Sequence, residues 1–218
     1  MTLVTLNRLP KIAVIEDFLP SALLAGLLDF TLKNSGSFHP TEIIRQSESH
    51  VDFGYRNSLQ CSEGLAGHKP AFKAAIHARQ GELLAILGIP PFDLAQTELQ
   101  LIAHGDGAFY KPHIDTHTGA DHAFEDNYRV LSCVYYFYRE PKKFTGGEIA
   151  IFPFGESGDA KLIEPLQNRL VAFPSFALHE VRAVSCPDGE FADSRFSINC
   201  WLRKAKVRGS ASPSGKAQ

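Results

Sequence analysis

Residues 129–138 read RVLSCVYYFY, and residues 195–202 read RFSINCWL. Both runs are rich in β-branched and aromatic side chains, which favour extended strands. Six similar runs lie between residues 97 and 184, and Gly, Pro, Asn and Asp residues separate them. Many short strands at this spacing predict a mainly β architecture, either a sandwich or a small barrel, for the second half of the chain.

Helical signals occur in the first half of the chain. Residues 20–33, PSALLAGLLDFTLK, begin with Pro and Ser and carry leucines at helical spacing. Residues 69–88 open with Pro70 near the first helical position and close at Gly88, which is typical of a helix end. The polar stretch 34–60 between them is too long for a simple connection, so we expect either a lid or an excursion that contains strands.

The length of the chain sets the domain organisation. A chain of 218 residues is long enough for one well-buried domain and short for two. We therefore predict one α+β domain over residues 1–204, with helical support over about 1–95 and a β core over about 96–203. Residues 205–218 are basic and rich in Ser and Gly, so they are predicted to form a disordered tail.

Charge and hydropathy argue against a nucleic-acid partner and against a membrane protein. The chain has 22 Lys and Arg residues against 24 Asp and Glu residues, which leaves no basic footprint. No apolar run approaches the roughly 18 residues of a membrane span, and the N-terminus lacks a signal-peptide pattern. The four cysteines form no CxxC pair, so free thiols and a cytoplasmic location are expected. The oligomeric state is not readable from the sequence.

The sequence His113-Ile114-Asp115 places an imidazole and a carboxylate two residues apart. In a strand, side chains at this spacing point to the same face. His179 lies on another strand-like segment further along the chain. Two histidines and one carboxylate on one side of a metal leave three positions open, which suits an Fe(II) ion that binds a chelating cosubstrate and O2 together.

Arg195, in SRFSINCW, is a candidate anchor for such a cosubstrate. A guanidinium offers a planar fork of donors that matches a carboxylate, so it could hold the far carboxylate of 2-oxoglutarate. From spacing alone, a structural ion pair is the more common role of a lone buried arginine.

Taken together, these motifs resemble the prolyl-4-hydroxylase-like 2-oxoglutarate oxygenases. Their local sequences are similar to those of the hypoxia-inducible-factor type prolyl hydroxylases. The resemblance covers roughly residues 98–203. It rests on YKPHID (110–115), RVLSCVYYFY (129–138), GGEIAIFP (146–153), IEPLQNRLVAF (163–173), HEV (179–181) and RFSINCW (195–201).

The resemblance implies a fold, a metal site and a cosubstrate site. The fold would be a double-stranded β-helix, or jelly roll, and iron would be held by His113, Asp115 and His179. Tyr136 would hydrogen-bond the same carboxylate as Arg195, although an ordinary core tyrosine is the alternative. The implied cofactors are Fe(II), 2-oxoglutarate and O2, with ascorbate as a further expectation, and no catalytic side chain is expected beyond the metal centre.

Three residues are candidates for contact with substrate. Tyr110 occupies a position where the family often has an aromatic residue lining the substrate cleft, and plain packing is the alternative. Arg56 and Ser58 resemble an Arg-x-Ser motif found on a substrate-facing strand of related hydroxylases. A surface salt bridge is the alternative role for the arginine.

The sequence also departs from the family. Ala103, or His104 if the loop slips by one residue, stands where the family has a tyrosine that contacts the cosubstrate. Two insertions, residues 116–128 and 185–193, are expected at the mouth of the barrel, where they would shape access. Two histidines in the first insertion, His117 and His122, are expected to face solvent.

The predicted function is hydroxylation of a C–H bond, with a prolyl residue in a protein or peptide as the favoured substrate. Hydroxylation of a free amino acid or other small metabolite is the alternative within the same enzyme class. A non-catalytic, cupin-like protein that binds a metal or a dicarboxylate is the alternative of another class. A zinc hydrolase is a weaker one, because no general base is placed for it.

Overall fold

The strand-rich runs fold into two antiparallel sheets that pack face to face in the computed structural model, which describes residues 9–45, 48–116, 126–155 and 159–206. The large sheet has seven strands, in the spatial order β1 (Ala13–Ile15), β13 (Arg169–Pro174), β9 (Asn127–Phe137), β16 (Arg195–Ala205), β7 (Leu94–His104), β6 (Leu59–Cys61) and β2 (Phe38–Pro40). The small sheet has five strands, in the order β12 (Lys161–Ile163), β11 (Ile149–Ile151), β14 (His179–Val181), β8 (Phe109–His113) and β5 (Arg56–Asn57). Two further strand pairs are β3 (Ile43–Arg45) with β4 (Glu48–His50), and β10 (Thr145–Gly146) with β15 (Val184–Ser185). The predicted mainly β class and the double-stranded β-helix are confirmed.

Strand β9 shows how the apolar runs serve two cores. Because successive side chains of a strand point to opposite faces, Tyr135 and Tyr136 enter different environments. Tyr135 packs against Phe18 and Phe72 on the outer face of the large sheet. Tyr136 lies between the sheets, in a cluster that includes Phe173. The run is mostly apolar because both of its faces are largely buried.

Two helices cover the outer face of the large sheet, as predicted. Helix α1 (Ser21–Lys33) buries Leu27, and helix α2 (Lys69–Leu87) buries Phe72 and Ile76, all in the same cluster as the outward side chains of the large sheet. Helix α2 ends before Gly88, which has a φ of +69° that only glycine adopts without strain. Burial of each large apolar side chain contributes about 1.5–3 kcal/mol to stability.

Three further expectations concern residues 34–60, the C-terminal tail and the first insertion. Of the two alternatives for residues 34–60, the excursion that contains strands is correct, since β2 to β5 lie there. Strand β16 continues to Ala205, one residue into the predicted tail, because Ala205 pairs with Asn127 of β9. The rest of that tail, from residue 207, lies outside the described residues, as do residues 117–125 of the first insertion with His117 and His122.

The second insertion, residues 185–193, is tied to the body of the protein. The backbone N–H of Cys186 donates to the Asp106 carboxylate at 2.7 Å, and Phe191 packs against Phe38 and Phe196. These contacts hold the segment against the outer core.

All four cysteines are free and buried. No helix in the described part of the chain is long and apolar enough to cross a membrane.

Candidate metal centre

The small sheet brings the three predicted metal ligands together. His113, the last residue of β8, is the direct cross-strand partner of His179, the first residue of β14. Asp115 follows β8, and its backbone N–H donates to Ser175 O at 2.9 Å. Ligand atoms of the three side chains all lie within 4.8 Å of one another. The Asp115 carboxylate oxygens are 3.8 Å from His113 Nε2 and 3.6 Å from His179 Nε2.

Both imidazoles are held in the orientation that a metal needs. His113 Nδ1 lies 2.8 Å from Lys111 O, and His179 Nδ1 lies 2.9 Å from Ala177 O. A carbonyl oxygen only accepts hydrogen bonds, so each Nδ1 carries the proton and each Nε2 keeps its lone pair for the shared space. Such carbonyl contacts are the usual outer support of a metal-bound histidine.

The local electrostatics favour the protonation states in which His113 and Asp115 can bind a cation. Burial and the adjacent His179 lower the pKa of His113 to about 3, so its imidazole is neutral at pH 7. Burial alone would raise the pKa of the Asp115 carboxyl, but His179 and His113 outweigh it. Arg129 and a hydrogen bond from Ser132 act in the same direction, and the pKa of Asp115 falls to about 2.

Arg195 begins β16, is fully buried and lines the same cavity as the three candidate metal ligands. Its guanidinium carbon lies 4.6 Å from the centre of the Tyr136 ring. Nη1 donates to His104 Nδ1 at 2.9 Å, whereas Nε and Nη2 have no hydrogen-bond partner among the described residues. Burial lowers the pKa of Arg195, and the neighbouring Tyr136 partly offsets the effect. Among the described residues, no carboxylate forms a hydrogen bond or ion pair with this buried cation, although the charge of Glu148 also favours it.

The Gly-Gly-Glu motif, residues 146–148, has a structural reason. Gly147 has a φ of +73°, and a Cβ placed there would lie 2.7 Å from Arg195 Cδ and 2.9 Å from Val184 Cγ2. A Cβ on Gly146 would lie 2.2 Å from Ala183 O. Glycine at both positions lets the β10–β15 pair close directly over the arginine.

One cavity of about 280 Å³ joins these groups. The predicted metal and cosubstrate residues line it, together with Arg56 and Tyr110. Within the described ranges, every buried side-chain nitrogen or oxygen that lacks a hydrogen-bond partner belongs to a residue of this cavity wall. These atoms are Gln100 Oε1, His104 Nε2, Tyr136 Oη, Arg195 Nε, Arg195 Nη2 and Ser197 Oγ. Buried polar groups are normally paired, so the cluster indicates a place for a polar ligand.

Two of the predicted substrate residues form part of the cavity wall, and the third supports it. The Tyr110 ring stacks on His113 with centroids 3.5 Å apart, and the Arg56 guanidinium lies 4.6 Å from the centre of the Tyr110 ring. Ser58 accepts a 3.0 Å hydrogen bond from Arg56 Nε and also contacts Thr41, so it lies behind the arginine.

Sequence reasoning did not identify Ser132 or Ser197. Ser132 Oγ donates to Asp115 Oδ2 at 2.6 Å. The alternation of RVLSCVYYFY would have placed Ser132 on the same face as Tyr136, and that of RFSINCW would have placed Ser197 beside Arg195. Nothing in the sequence marked these hydroxyls as functional.

Residues 99–203 match the family model described as 2OG-Fe(II) oxygenase superfamily. This part of the chain is similar to 2OG-Fe(II) oxygenase domains. An uncharacterized PKHD-type hydroxylase of Synechocystis sp. (strain ATCC 27184 / PCC 6803 / Kazusa) is 40% identical over 179 residues, which cover 75% of this chain and 57% of that protein. The chain thus spans little more than half the length of this relative.

Solved structures of prolyl hydroxylases share the fold of this chain. A prolyl-4-hydroxylase of Pseudomonas putida gives a TM-score of 0.64 at 21% identity, covering 90% of this chain and 94% of the other. A prolyl hydroxylase of Trichoplax adhaerens, in complex with a peptide fragment of the hypoxia-inducible factor oxygen degradation domain, gives 0.65 at 19% identity, covering 88% and 83%. At these identities the likeness establishes the fold alone.

The superfamily name specifies Fe(II) and 2-oxoglutarate, and the residues of the cavity fit both groups. Two imidazoles with free Nε2 atoms and a carboxylate form a suitable donor set for Fe(II). The unpaired Arg195 and Tyr136 donors fit the carboxylate of a bound dicarboxylate.

Proposed function

We propose that the protein is a dioxygenase that uses Fe(II) and 2-oxoglutarate to hydroxylate a prolyl residue in a peptide or protein. One observation carries the proposal. A set of three metal ligands and a fully buried guanidinium with two unpaired donors line the same cavity. A metal site alone would not need the arginine, and a dicarboxylate-binding protein would not need the metal ligands.

His113, Asp115 and His179 would hold the iron. Their Nε2 atoms and the Asp115 carboxylate face one space, and the hydrogen bonds behind them keep that orientation. When bound, iron with 2-oxoglutarate and O2 supplies the oxidation of a C–H bond, in which one oxygen atom enters the alcohol and the other enters succinate, with release of CO2. The protein orients the reactants and limits access of water.

Arg195 and Tyr136 would hold the far carboxylate of 2-oxoglutarate. Both side chains are 0% exposed, so their bonds to the ligand would form in a medium where electrostatic contacts are strong. The planar guanidinium has two free donors to offer, and the Tyr136 hydroxyl has one.

Support for a prolyl substrate comes from the relatives, since the Trichoplax adhaerens structure contains a peptide. Tyr110 and Arg56, on the cavity wall beside His113, would form part of its binding site. Ascorbate is proposed as the reductant that keeps iron in the ferrous state.

A free amino acid or another small carboxylate is the second candidate substrate. The observation that favours it is the position of Arg56, a cation with only 7% of its surface exposed that lines the cavity next to the metal site. A guanidinium at that place could bind a substrate carboxylate two-pronged.

The test is incubation of the full chain with Fe(II), 2-oxoglutarate and ascorbate, in the presence of proline-containing peptides or free amino acids. Mass spectrometry should find a product heavier by one oxygen atom, together with an equal amount of succinate. His113→Ala and Asp115→Ala should abolish both, whereas His39→Ala, an exposed histidine, should not. Metal and 2-oxoglutarate binding without succinate would indicate a non-catalytic binding protein, and hydrolysis with zinc alone would indicate a hydrolase.

A further inference from the structure

His104 faces the cavity from the strand next to Arg195. It ends β7 and is the direct cross-strand partner of Arg195 at the start of β16. The preceding residue, Ala103, packs in the main core on the other face of the large sheet. Strand alternation therefore directs the imidazole, and not the Ala103 methyl group, towards the cavity. His104 is 3% exposed and lines the cavity wall.

The contact with Arg195 fixes the tautomer of His104. Arg195 Nη1 lies 2.9 Å from His104 Nδ1. A guanidinium can only donate, so Nδ1 must be the acceptor and the proton of the neutral ring is on Nε2. Burial and the positive charges of Arg195 and Arg56 hold the pKa of His104 well below its usual value, so the ring is uncharged near pH 7.

The Nε2–H group of His104 has no hydrogen-bond partner among the described residues, although it is buried. It shares the cavity wall with the unpaired Arg195 donors and with the Tyr136 and Ser197 hydroxyls, which have no partners either. If His104 served only to orient Arg195, its second nitrogen would be buried at a free-energy cost without compensation. A ligand rich in acceptor oxygens would pair all of these donors at once.

We propose that His104 binds the cosubstrate directly, with its Nε2–H donating to an oxygen of the same 2-oxoglutarate molecule that Arg195 holds. The inference rests on the proposed function, because it needs that molecule in the cavity. It assigns to a neutral imidazole a cosubstrate contact for which the resemblance led us to expect a tyrosine.

Nuclear magnetic resonance of the full chain, labelled with ¹⁵N at histidine and loaded with diamagnetic Zn(II), observes this contact directly. Without 2-oxoglutarate, His104 should give the signals of a neutral ring protonated at Nε2. Addition of 2-oxoglutarate should shift that N–H signal and slow its exchange with water. His77, whose Nε2 lies 2.8 Å from Thr97 Oγ1 outside the cavity, is the internal control and should not change.

Calorimetric titration of the Mn(II)-loaded protein with 2-oxoglutarate gives the second measurement. His104→Leu removes both ring nitrogens and should weaken binding at least tenfold, with Mn(II) affinity unchanged. His104→Gln, which can accept from Arg195 and still donate, should stay within a few-fold of the wild type. His77→Gln is the matched control. If His104→Leu does not fold, the signal shift in the wild type still decides the question.

The outcomes separate the two proposals. If the wild type binds 2-oxoglutarate and the His104 N–H signal stays unmoved, the direct contact is overturned and the proposed function stands. If the wild type does not bind 2-oxoglutarate with either metal, the proposed function fails and the role of His104 fails with it.

Discussion

The Ser132 hydroxyl donates a 2.6 Å hydrogen bond to Oδ2 of Asp115, and both side chains are buried. Ser132 lies on β9 of the large sheet, whereas Asp115 follows β8 of the small sheet. The contact therefore ties the candidate metal ligand to the opposite wall of the barrel. It also favours the ionised carboxylate, and it is one of the causes that lower the pKa of Asp115.

Ser132→Ala is expected to weaken metal binding about 10- to 100-fold, the range typical of losing a group that supports a metal ligand. The carboxylate would lose both its fixed orientation and part of the stabilisation of its charge. Titration of the metal-free protein with Mn(II) measures the change. Ser175→Ala is the control, because its hydroxyl lies 2.9 Å from Ser132 Oγ without contacting the carboxylate. Equal losses in both variants would contradict a specific role for the bond to Asp115.

The buried, neutral His104 makes stability depend on pH. The pKa of His104 is lowered in the folded state. Above pH 6.5 the ring is therefore neutral in both the folded and the unfolded state, and its contribution to the free energy of unfolding is constant. Below pH 6.5 the unfolded chain takes up a proton that the folded protein does not, and stability falls by up to about 1.4 kcal/mol per pH unit from this group. His104→Gln should remove that slope.

Urea unfolding of the wild type and of His104→Gln from pH 8 to pH 5 tests this expectation. The difference in unfolding free energy should be flat above pH 6.5 and should shift in favour of the variant below it. Other titrating groups cancel in the comparison, and His39→Gln provides an exposed-histidine control. A difference that does not change with pH would mean that His104 has the same pKa in the folded protein as in the unfolded chain, contrary to its burial beside Arg195.

The sequence was sufficient to predict a mainly β fold and several of the side chains that line its cavity, among them His113, Asp115 and Arg195. Alternation and turn residues predicted the strands, and Pro70 and Gly88 predicted the ends of α2. The grouping of His113, Asp115 and His179 could be proposed because a His-x-Asp pair and a later histidine match the needs of a metal. The strands and the helix ends are predicted by patterns of neighbouring residues. The metal site is predicted by histidine and aspartate, which are residue types that bind metals.

Other features depend on three-dimensional contacts that leave no local signal. His104 faces the cavity because β7 pairs with β16 in a register that places His104 opposite Arg195. The sequence of β7 alone does not specify that register. Ser132 is an ordinary small residue in an apolar run until the second sheet brings Asp115 to it. Arg56 could equally have formed a surface salt bridge, and its burial depends on the pairing of β5 with β8.

Gly147→Ala should reduce affinity for 2-oxoglutarate with little effect on the metal. The added methyl group would lie 2.7 Å from Arg195 Cδ and would displace the guanidinium. A displacement of about 1 Å at a binding group can cost about 100-fold in activity. Gly189→Ala is the control, because Gly189 has a similar φ of +66° but no atom within 4 Å of the added Cβ. Calorimetry of the Mn(II)-loaded variants measures both affinities, and equal effects would attribute the loss to backbone strain.

Arg56→Met should raise the KM for the hydroxylated substrate about tenfold or more, the effect of losing one charge-assisted contact of about 1.5–3 kcal/mol. Methionine keeps much of the apolar stem that packs beside Tyr110 and removes the charge. The KM for 2-oxoglutarate should change little, because Arg56 bonds to Ser58 and not to the Arg195 group. Arg79→Met is the matched control, an exposed arginine paired with Glu82 on α2.

The same variant distinguishes the two candidate substrates. If Arg56 binds the carboxylate of a free amino acid, the loss in Arg56→Met should largely disappear when the wild type and the variant are compared on the corresponding amide. If Arg56, held over the Tyr110 ring, instead donates to a backbone carbonyl of a peptide substrate, the loss should persist on peptides with blocked ends. A rise in the 2-oxoglutarate KM alone would place Arg56 with the cosubstrate and would contradict both assignments, because the substrate would then have to be recognised by other residues of the cavity wall.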